Sequence, residues 1–308
     1  MKLVTYRSNP ESEARLGIIK NDPTNGDLII DMQRLGQVCQ IALPSTMLEF
    51  IDLGTVAIEV VENILKDLDR KLLLGTSLPI SNAKILAPIP VPRKNLICIG
   101  LNYTEHLEES SRAHKKPVEL PTKCILFTKP PTCVIGNGDA IEHNENITKQ
   151  LDWEGELGVI IGKKGKNVPK ENALQYVFGY TIINDISARD CHRNAQWTVN
   201  KGQDTFAPMG PIVVTANELT DPHNLNLRTT VNGIEKQNSN TKYMLFNINA
   251  QIADISEVMT LEAGDIIATG TPSGVGLGRE PQEWMWAGDV VEVTVEGIGT
   301  LRNPIVRV

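Results

Sequence analysis

The sequence is poor in cysteine, and its cysteines show no recognisable pairing. The 308 residues include 5 cysteines, an odd number with no C-x-x-C pair among them. Disulfide frameworks and zinc ribbons both depend on such pairs, so the spacing argues against both classes. We therefore expect a protein of a reducing compartment, with these cysteines in structural positions: Cys39, Cys98, Cys124, Cys133 and Cys191.

Long apolar runs and excess basic charge are also missing. No apolar run approaches the roughly 20 residues that span a bilayer, and the first residues contain no signal-peptide core. Lys and Arg number 30 against 37 Asp and Glu, which gives a formal charge of −7. Because the footprint of a nucleic-acid-binding protein is basic, this balance disfavours nucleic acid as a partner. The sequence predicts a cytoplasmic protein that contacts neither membrane nor nucleic acid.

The chain divides into two segments that differ in their predicted secondary structure. Residues 1–85 combine short strand-like runs with a helical pattern over about 47–68, and predict a small N-terminal α+β domain. A proline at every second position of 88–92 forms a stiff joint that suits a domain boundary. Residues 93–308 contain many short β-type runs separated by glycine and proline, with few helical patterns. This texture favours a β-rich α+β fold over an alternating βαβ array.

Three carboxylates stand where predicted strands begin or end. Glu154 and Glu156 are two apart in a strand-like run, so both point to one face, where like charges repel unless a cation or solvent separates them. Asp185 ends a second apolar run. Taken singly, the pair fits a solvated strand end and Asp185 fits a helix N-cap. Together, without a neighbouring cysteine or histidine, the three favour an oxygen-only site for Mg²⁺, Mn²⁺ or Ca²⁺.

A histidine and a glutamate share one face of a predicted short helix. His106 and Glu109 are three residues apart in the helical pattern over 103–109. A carboxylate beside a histidine fixes the tautomer and raises the basicity of the ring, as a water-activating base requires. The alternative for an isolated pair of this kind is a surface contact.

Two glycine-rich segments add possible binding groups. Lys201 lies in a segment rich in glycine and proline, where it is either solvated or holds a substrate carboxylate. Residues 268–276 run from a strand into a glycine-rich turn whose backbone N–H groups could cradle an anion. No helical pattern follows the glycines of 274–278, which argues against a dinucleotide site.

Taken together, these segments resemble the fumarylacetoacetate hydrolase superfamily. The likeness covers residues 93–306, about two thirds of the chain. It rests on these motifs: Gly100-x-Asn102-Tyr103-x-x-His106, Glu154-x-Glu156-Leu157, Asn184-Asp185-x-Ser187-Ala188-Arg189-Asp190, Lys201 with Asp204-Thr205, and Gly270-Thr271-Pro272-Ser273-Gly274-Val275-Gly276.

The resemblance implies a mixed β-roll with a small N-terminal α+β domain, and a homodimer. It implies that strand ends hold one Mg²⁺ or Mn²⁺ through Glu154, Glu156 and Asp185. It also implies that His106 and Glu109 form an acid–base pair on a short helix that orders as a lid.

The resemblance further implies how a substrate is held. Lys201 is expected to act as a catalytic residue at the oxo-acid end of the substrate, and Thr271 to bind its carboxylate. Arg189 and Gln203 are expected to bind substrate as well. The sequence departs from the usual motifs at Cys191-His192 and at Gly202-Gln203, both near the expected pocket.

These expectations predict a Mg²⁺-dependent hydrolase that cleaves a C–C bond in an acylpyruvate-type 2-oxo acid. The reaction would pass through an enolate. The same enolate is reached by decarboxylating oxaloacetate, or by proton transfer in an isomerase or tautomerase, so both alternatives stay open. A non-catalytic protein that binds metal and oxo acid is the alternative from a different class.

Overall fold

The computed structural model of the protein describes residues 1–191, 193 and 196–308. Its helices are α1 (Met32–Cys39), α2 (Met47–Leu53), α3 (Thr55–Asp67), α4 (Arg70–Gly75), α5 (Thr104–Ala113), α6 (Trp197–Lys201) and α7 (Ile248–Val258). Its first strands are β1 (Lys2–Arg7), β2 (Arg15–Asp22), β3 (Gly26–Asp31), β4 (Ser77–Pro79), β5 (Lys84–Ile85), β6 (Leu96–Gly100), β7 (Ile125–Lys129), β8 (Val134–Ile135) and β9 (Ile141–His143). The later strands are β10 (Leu151–Asp152), β11 (Gly155–Ile161), β12 (Val177–Asn184), β13 (Ser187–Ala188), β14 (Ala207–Thr215), β15 (Asn226–Val231), β16 (Ile234–Asn240), β17 (Ile266–Ala268), β18 (Val290–Val295) and β19 (Gly299–Arg307).

Most strands belong to one large mixed sheet. Its main path runs β4-β3-β2-β1-β14-β12-β11-β17-β6-β7, and a five-stranded sheet runs β16-β15-β18-β19-β9. Strands β11 and β12 also contact β15 and β18 of the second sheet. The predicted sheet-rich α+β class is confirmed.

The N-terminal segment joins the large sheet through one antiparallel pair. Lys2 and Leu3 of β1 lie opposite Val214 and Val213 of β14, so strands from both segments share one hydrogen-bonded sheet. The domain boundary over 1–85 and 93–308 stays a prediction.

The predicted helix over 47–68 is two helices. Helix α2 begins at a capping box, in which Thr46 and Glu49 satisfy each other's backbone N–H groups. It ends at Gly54, whose φ of 57° lies in the left-handed region that glycine tolerates best. Helix α3 then starts anew, so the turn at Gly54 breaks a pattern that reads as continuous by hydrophobic spacing alone.

The two strands that carry the candidate metal ligands run through the centre of the molecule. Every residue of β11 and β12 is buried. Along β11, Val159 faces one apolar cluster and Ile160 the other, so the strand has a packed core on both faces. The isoleucine, valine and threonine side chains of these strands suit such a position. The strand ends are therefore held rigidly where the site forms.

Over the described ranges, the helices fall short of the length and apolar character that a bilayer crossing requires.

Candidate active site

The structure brings the three predicted carboxylates together. Strands β11 and β12 are antiparallel, with Gly155 opposite Asn184, so the start of one lies beside the end of the other. Glu154 precedes β11 and Asp185 follows β12, and the Asp185 N–H donates to the Glu154 carbonyl at 2.8 Å. One oxygen from each of Glu154, Glu156 and Asp185 lies within 4.8 Å of the others. The register of one strand pair therefore assembles the group.

Two buried lysines and a largely buried arginine surround this carboxylate group. Lys201 Nζ lies 2.7 Å from Glu154 Oε2 and 2.8 Å from Asp185 Oδ2. Lys129 Nζ lies 2.5 Å from Asp185 Oδ1, and Arg189 Nη2 lies 2.6 Å from Glu154 Oε1. Burial alone would raise the pKa of Glu154, but the charges of Lys201 and Arg189 outweigh it and hold that pKa well below its ordinary value.

Glu156 is held differently from its two neighbours. Its Oε2 accepts the Gly270 N–H at 2.9 Å, whereas Glu154 and Asp185 each pair with lysine or arginine. Burial raises the pKa of Glu156 well above its ordinary value, and the charges of Asp185 and Glu154 raise it further. A buried carboxylate in this position fits a divalent cation, which would relieve the repulsion among the three. The all-oxygen donor set suits Mg²⁺ or Mn²⁺.

Two buried residues of this site, Lys129 and Asp152, were not predicted from the sequence. Lys129 is fully buried at the end of β7, and its Nζ also donates to the Ile186 carbonyl at 3.0 Å. Asp152 is fully buried as well, and its Oδ2 accepts from Arg189 Nε at 2.8 Å. A lysine that ends an apolar strand and an aspartate that adjoins the Glu-x-Glu pattern are weak signals, because each partner lies far away in the sequence.

The predicted acid–base pair forms on α5. Glu109 Oε1 lies 2.8 Å from His106 Nδ1, and both side chains are nearly buried. Because the carboxylate engages Nδ1, the hydrogen bond assigns the proton there and leaves Nε2 as the acceptor atom of the ring. The second oxygen of Glu109 accepts the Gly274 N–H at 2.9 Å, which fixes the carboxylate from the other side.

A buried asparagine sets the start of α5. The side-chain amide of Asn102 donates to the carbonyls of Thr269 at 2.7 Å and Phe246 at 3.0 Å, and its oxygen accepts the Phe246 N–H at 2.8 Å. These contacts tie the segment before the helix to the end of β17. They give the asparagine of the predicted motif a structural role in placing His106.

One cavity of about 600 Å³ connects the two groups. Its polar lining includes His106, Glu154, Arg189, Lys201 and Thr271. Its apolar lining consists of Ile99, Leu101, Leu107, Phe127, Trp197 and Leu277. The rings of Phe127 and Trp197 contact each other, with centroids 4.9 Å apart. A small anionic ligand in this cavity would meet carboxylate-bound cations at one end and a histidine base at the other.

The remaining predicted residues are placed as follows. Thr271 Oγ1 donates to the Gly155 carbonyl at 2.9 Å and accepts from Gln237 Nε2 at 2.7 Å, so its hydroxyl is already engaged. Gln203 Nε2 donates to the Val199 carbonyl at 3.0 Å, which turns it toward α6. The roles of these residues in binding substrate stay predictions.

The structure describes one residue of the first departure from the family motifs, Cys191-His192. Cys191 Sγ lies 3.8 Å from Gln203 Nε2, and burial raises the pKa of its thiol above the ordinary value. His192 lies outside the described residues.

Most of the chain, including this site, matches a known protein family. Residues 95–306 match the family model described as fumarylacetoacetate (FAA) hydrolase C-terminal. The oxaloacetate tautomerase YisK of Bacillus subtilis is 47% identical over 228 residues, which cover 73% of this chain and 74% of that protein. The mitochondrial oxaloacetate tautomerase fahd2 of Xenopus laevis is 40% identical over 99% of this chain and 90% of its own length.

A solved structure adds information about ligands. It is the maleylpyruvate hydrolase from Sphingobium sp. SYK-6 in complex with manganese(II) ion and pyruvate. It superposes with a TM-score of 0.75 at 27% identity, covering 100% of this chain and 99% of the other. A divalent metal is therefore bound by a protein of this fold, together with a 2-oxo acid.

Proposed function

The chain belongs to the fumarylacetoacetate hydrolase family, and from that premise we propose that it is a metal-dependent tautomerase of oxaloacetate or a closely related 2-oxo dicarboxylate. The observation that carries the proposal is the His106–Glu109 pair on the wall of the cavity that Glu154 and Lys201 also line. Two relatives that share 40% identity or more are named oxaloacetate tautomerases, which supports this reaction over the hydrolysis that the motifs favoured.

The reaction moves a proton between C3 and the 2-oxo oxygen. His106 Nε2 accepts the C3 proton and delivers it to the 2-oxo oxygen to give the enol, and the reverse transfers restore the keto form. Glu109 holds the Nδ1 proton and stabilises the charged ring meanwhile. A divalent cation held by Glu154, Glu156 and Asp185 would supply a Lewis acid that stabilises negative charge on the 2-oxo oxygen.

The cations of the site orient the substrate. When all four carboxyl groups are ionised, Asp152, Glu154, Glu156 and Asp185 carry one more negative charge than Lys129, Arg189 and Lys201 together. With a divalent cation the group becomes positive and attracts a dicarboxylate. We propose that Lys201 turns toward a carboxylate of the substrate from its present place on Glu154 and Asp185. Arg189 meets the substrate from the wall of the cavity, while its Nε and Nη2 keep their bonds to Asp152 and Glu154.

Hydrolysis of an acylpyruvate-type 2-oxo acid is the second candidate. The same His106–Glu109 pair could activate water, and the cavity of about 600 Å³ has room for an acyl group beside it. A maleylpyruvate hydrolase is among the similar structures. Decarboxylation of oxaloacetate would use the same enolate and require no attacking water.

One set of assays separates the three reactions. Enol absorbance of oxaloacetate, pyruvate release from oxaloacetate and loss of acetylpyruvate are each followed with Mg²⁺, with Mn²⁺ and with EDTA. We expect metal-dependent approach to keto–enol equilibrium, faster than with His106→Ala or without enzyme. Pyruvate release at the same rate would replace tautomerisation by decarboxylation, and metal-dependent loss of acetylpyruvate alone would replace it by hydrolysis. The homodimer and the cytoplasmic location stay predictions, the first testable by sedimentation.

A further inference from the structure

A short backbone segment, Ser273–Gly278, lies between the two halves of the site; we call it the glycine loop. On one side it contacts α5, where the Gly274 N–H donates to Glu109 Oε2 at 2.9 Å and Ser273 Oγ donates to Glu105 Oε2 at 3.1 Å. On the other side its backbone N–H groups meet a different carboxylate. The loop therefore contacts both the acid–base pair and a second buried carboxylate.

That second carboxylate is Asp152. Its Oδ1 accepts the Gly276 N–H at 2.6 Å and its Oδ2 accepts the Leu277 N–H at 3.1 Å. The Trp153 N–H donates to Oδ1 at 2.9 Å, and Arg189 Nε donates to Oδ2 at 2.8 Å. A fully buried carboxylate with four donors from three segments is a fixed point of the structure.

The glycines of the loop are required by these contacts. A Cβ at Gly276 would lie 2.0 Å from the Glu283 carbonyl oxygen and 2.7 Å from Asp152 Oδ1, and a Cβ at Gly278 would lie 2.3 Å from Glu109 Oε2. Any other residue at these positions would push the loop away from one carboxylate or the other. The glycines thus allow the backbone of the loop to approach both Asp152 and Glu109 closely.

Asp152 is also joined to the carboxylate group through Arg189. The same guanidinium that donates to Asp152 through Nε donates through Nη2 to Glu154 Oε1 at 2.6 Å. A continuous path results, from Glu154 through Arg189 and Asp152 to the glycine loop, and from the loop to Glu109 and His106. Each step is a direct hydrogen bond or ion pair.

We propose that Asp152 is a positioning residue that holds Glu154 and the His106–Glu109 pair in one arrangement. It acts through Arg189 on the first and through the glycine loop on the second. The inference rests on the proposed function, because it takes Glu154 as a metal ligand and His106 as the base. It adds the reason why the two halves of the site stay in register across the cavity.

The test is Asp152→Asn, which keeps the shape of the side chain but replaces an acceptor by an amide that donates. The neutral side chain weakens the bonds from both Arg189 and the glycine loop, and the donors at one of the two former oxygen positions lose their acceptor. We expect the Kd for Mn²⁺ to rise by about 10–100-fold, as for other groups that orient metal ligands. We also expect backbone amide hydrogens of α5 to exchange with deuterium at least about tenfold faster in the metal-free protein. At saturating Mn²⁺ and substrate, kcat should still fall, because the displaced base is not restored by filling the metal site.

Asp31→Asn is the matched control. Asp31 is also a buried aspartate that pairs with an arginine, Arg15, and accepts a backbone N–H, that of Arg34 at 2.8 Å, but it lies in the N-terminal segment. We expect it to lower the stability of the protein without changing the Kd for Mn²⁺ or exchange in α5. The proposal is overturned if Asp152→Asn changes only one of these two quantities or neither, or if Asp31→Asn changes both.

A second variant covers the case in which Asp152→Asn does not fold, as judged by circular dichroism. Arg189→Lys keeps the bonds between Asp152 and the glycine loop but cannot reach two carboxylates with a planar fork. We expect weaker Mn²⁺ binding with unchanged exchange in α5, and an unchanged Kd overturns the proposal. The Mn²⁺ and exchange readouts need no substrate. A wild-type protein inactive on oxaloacetate would therefore refute the proposed function alone.

Discussion

The two ends of the cavity are both buried, but they are held in place by different means. At the carboxylate end, Glu154, Glu156 and Asp185 sit on or beside two central strands whose register is continuous over six paired positions. At the other end, His106 and Glu109 sit on α5, a helix of 10 residues. Strand register places the first group, whereas hydrogen bonds from loops place the second.

The local stability of α5 follows from its sequence. The N-cap residue, Tyr103, provides no side-chain hydrogen bond, and isolated helices of this length are marginal in water. Its place therefore depends on Asn102 and on the glycine loop. At the carboxylate end the backbone is rigid, and the source of instability is instead the repulsion among the buried carboxylates. One end should thus be sensitive to loss of contacts and the other to changes of charge.

The largest expected effect comes from removing a carboxylate of the rigid end. Glu154→Ala should abolish both metal binding and turnover, because Glu154 is a proposed ligand and the partner of Lys201 and Arg189. Calorimetric titration with Mn²⁺ and the enol assay measure the two effects. Circular dichroism is the control for folding, with Glu154→Gln as the variant of matched shape. Full activity of Glu154→Ala with Mg²⁺ would remove the metal site from the mechanism.

An intermediate effect is expected at the other end. His106→Ala should lower kcat by about 10²–10⁴-fold, the usual contribution of a general base. Affinity for Mn²⁺ should change by no more than a few-fold, because the histidine pairs with Glu109 and not with the three carboxylates. Glu109→Gln should act in the same direction through the tautomer of His106. If His106→Ala instead loses the metal, the histidine is a ligand and the contrast between the two ends fails.

The smallest expected effect is a gain of stability. Glu156→Gln should raise the unfolding free energy of the metal-free protein by about 1 kcal/mol, since active-site charges are often held at a cost in stability. The raised pKa of Glu156 makes the native state bind the extra proton, so stability is lost as pH rises above the ordinary carboxyl range. The gain should therefore be larger at pH 8 than at pH 5 in thermal melts with EDTA. Equal melting temperatures at pH 8 would contradict burial of the Glu156 charge beside Asp185 and Glu154 as the source of the effect.

The sequence predicted the parts of the site that depend on local spacing. Alternation along a strand put Glu154 and Glu156 on one side, and helical spacing put His106 beside Glu109. Their surroundings could not be predicted in the same way. Lys129 meets Asp185 across 56 residues, and Asp152 meets Gly276 across 124, so only the folded sheet reveals these pairs.

The fold shows the same limit. The sheet-rich class follows from many short β-type runs, but the pairing of β1 with β14 joins positions more than 200 residues apart. The break at Gly54 was missed because hydrophobic spacing continues through it, and a single left-handed residue leaves that spacing intact. The role of Gln203 at the substrate stays a prediction, and its amide donates to the Val199 carbonyl of α6. Local backbone acceptors compete with ligands, and no pattern in the sequence records the outcome.

The contact between Phe127 and Trp197 gives the cavity its own optical reporter. Indole emission depends on the polarity around the ring, and Trp197 lines the space that a ligand would fill. An oxo-acid analogue that displaces water from this wall changes the fluorescence of the protein without any added label. Occupancy of the cavity can thus be followed by fluorescence at equilibrium and in stopped flow, with Trp197→Phe as the reference that removes this one of the four tryptophans.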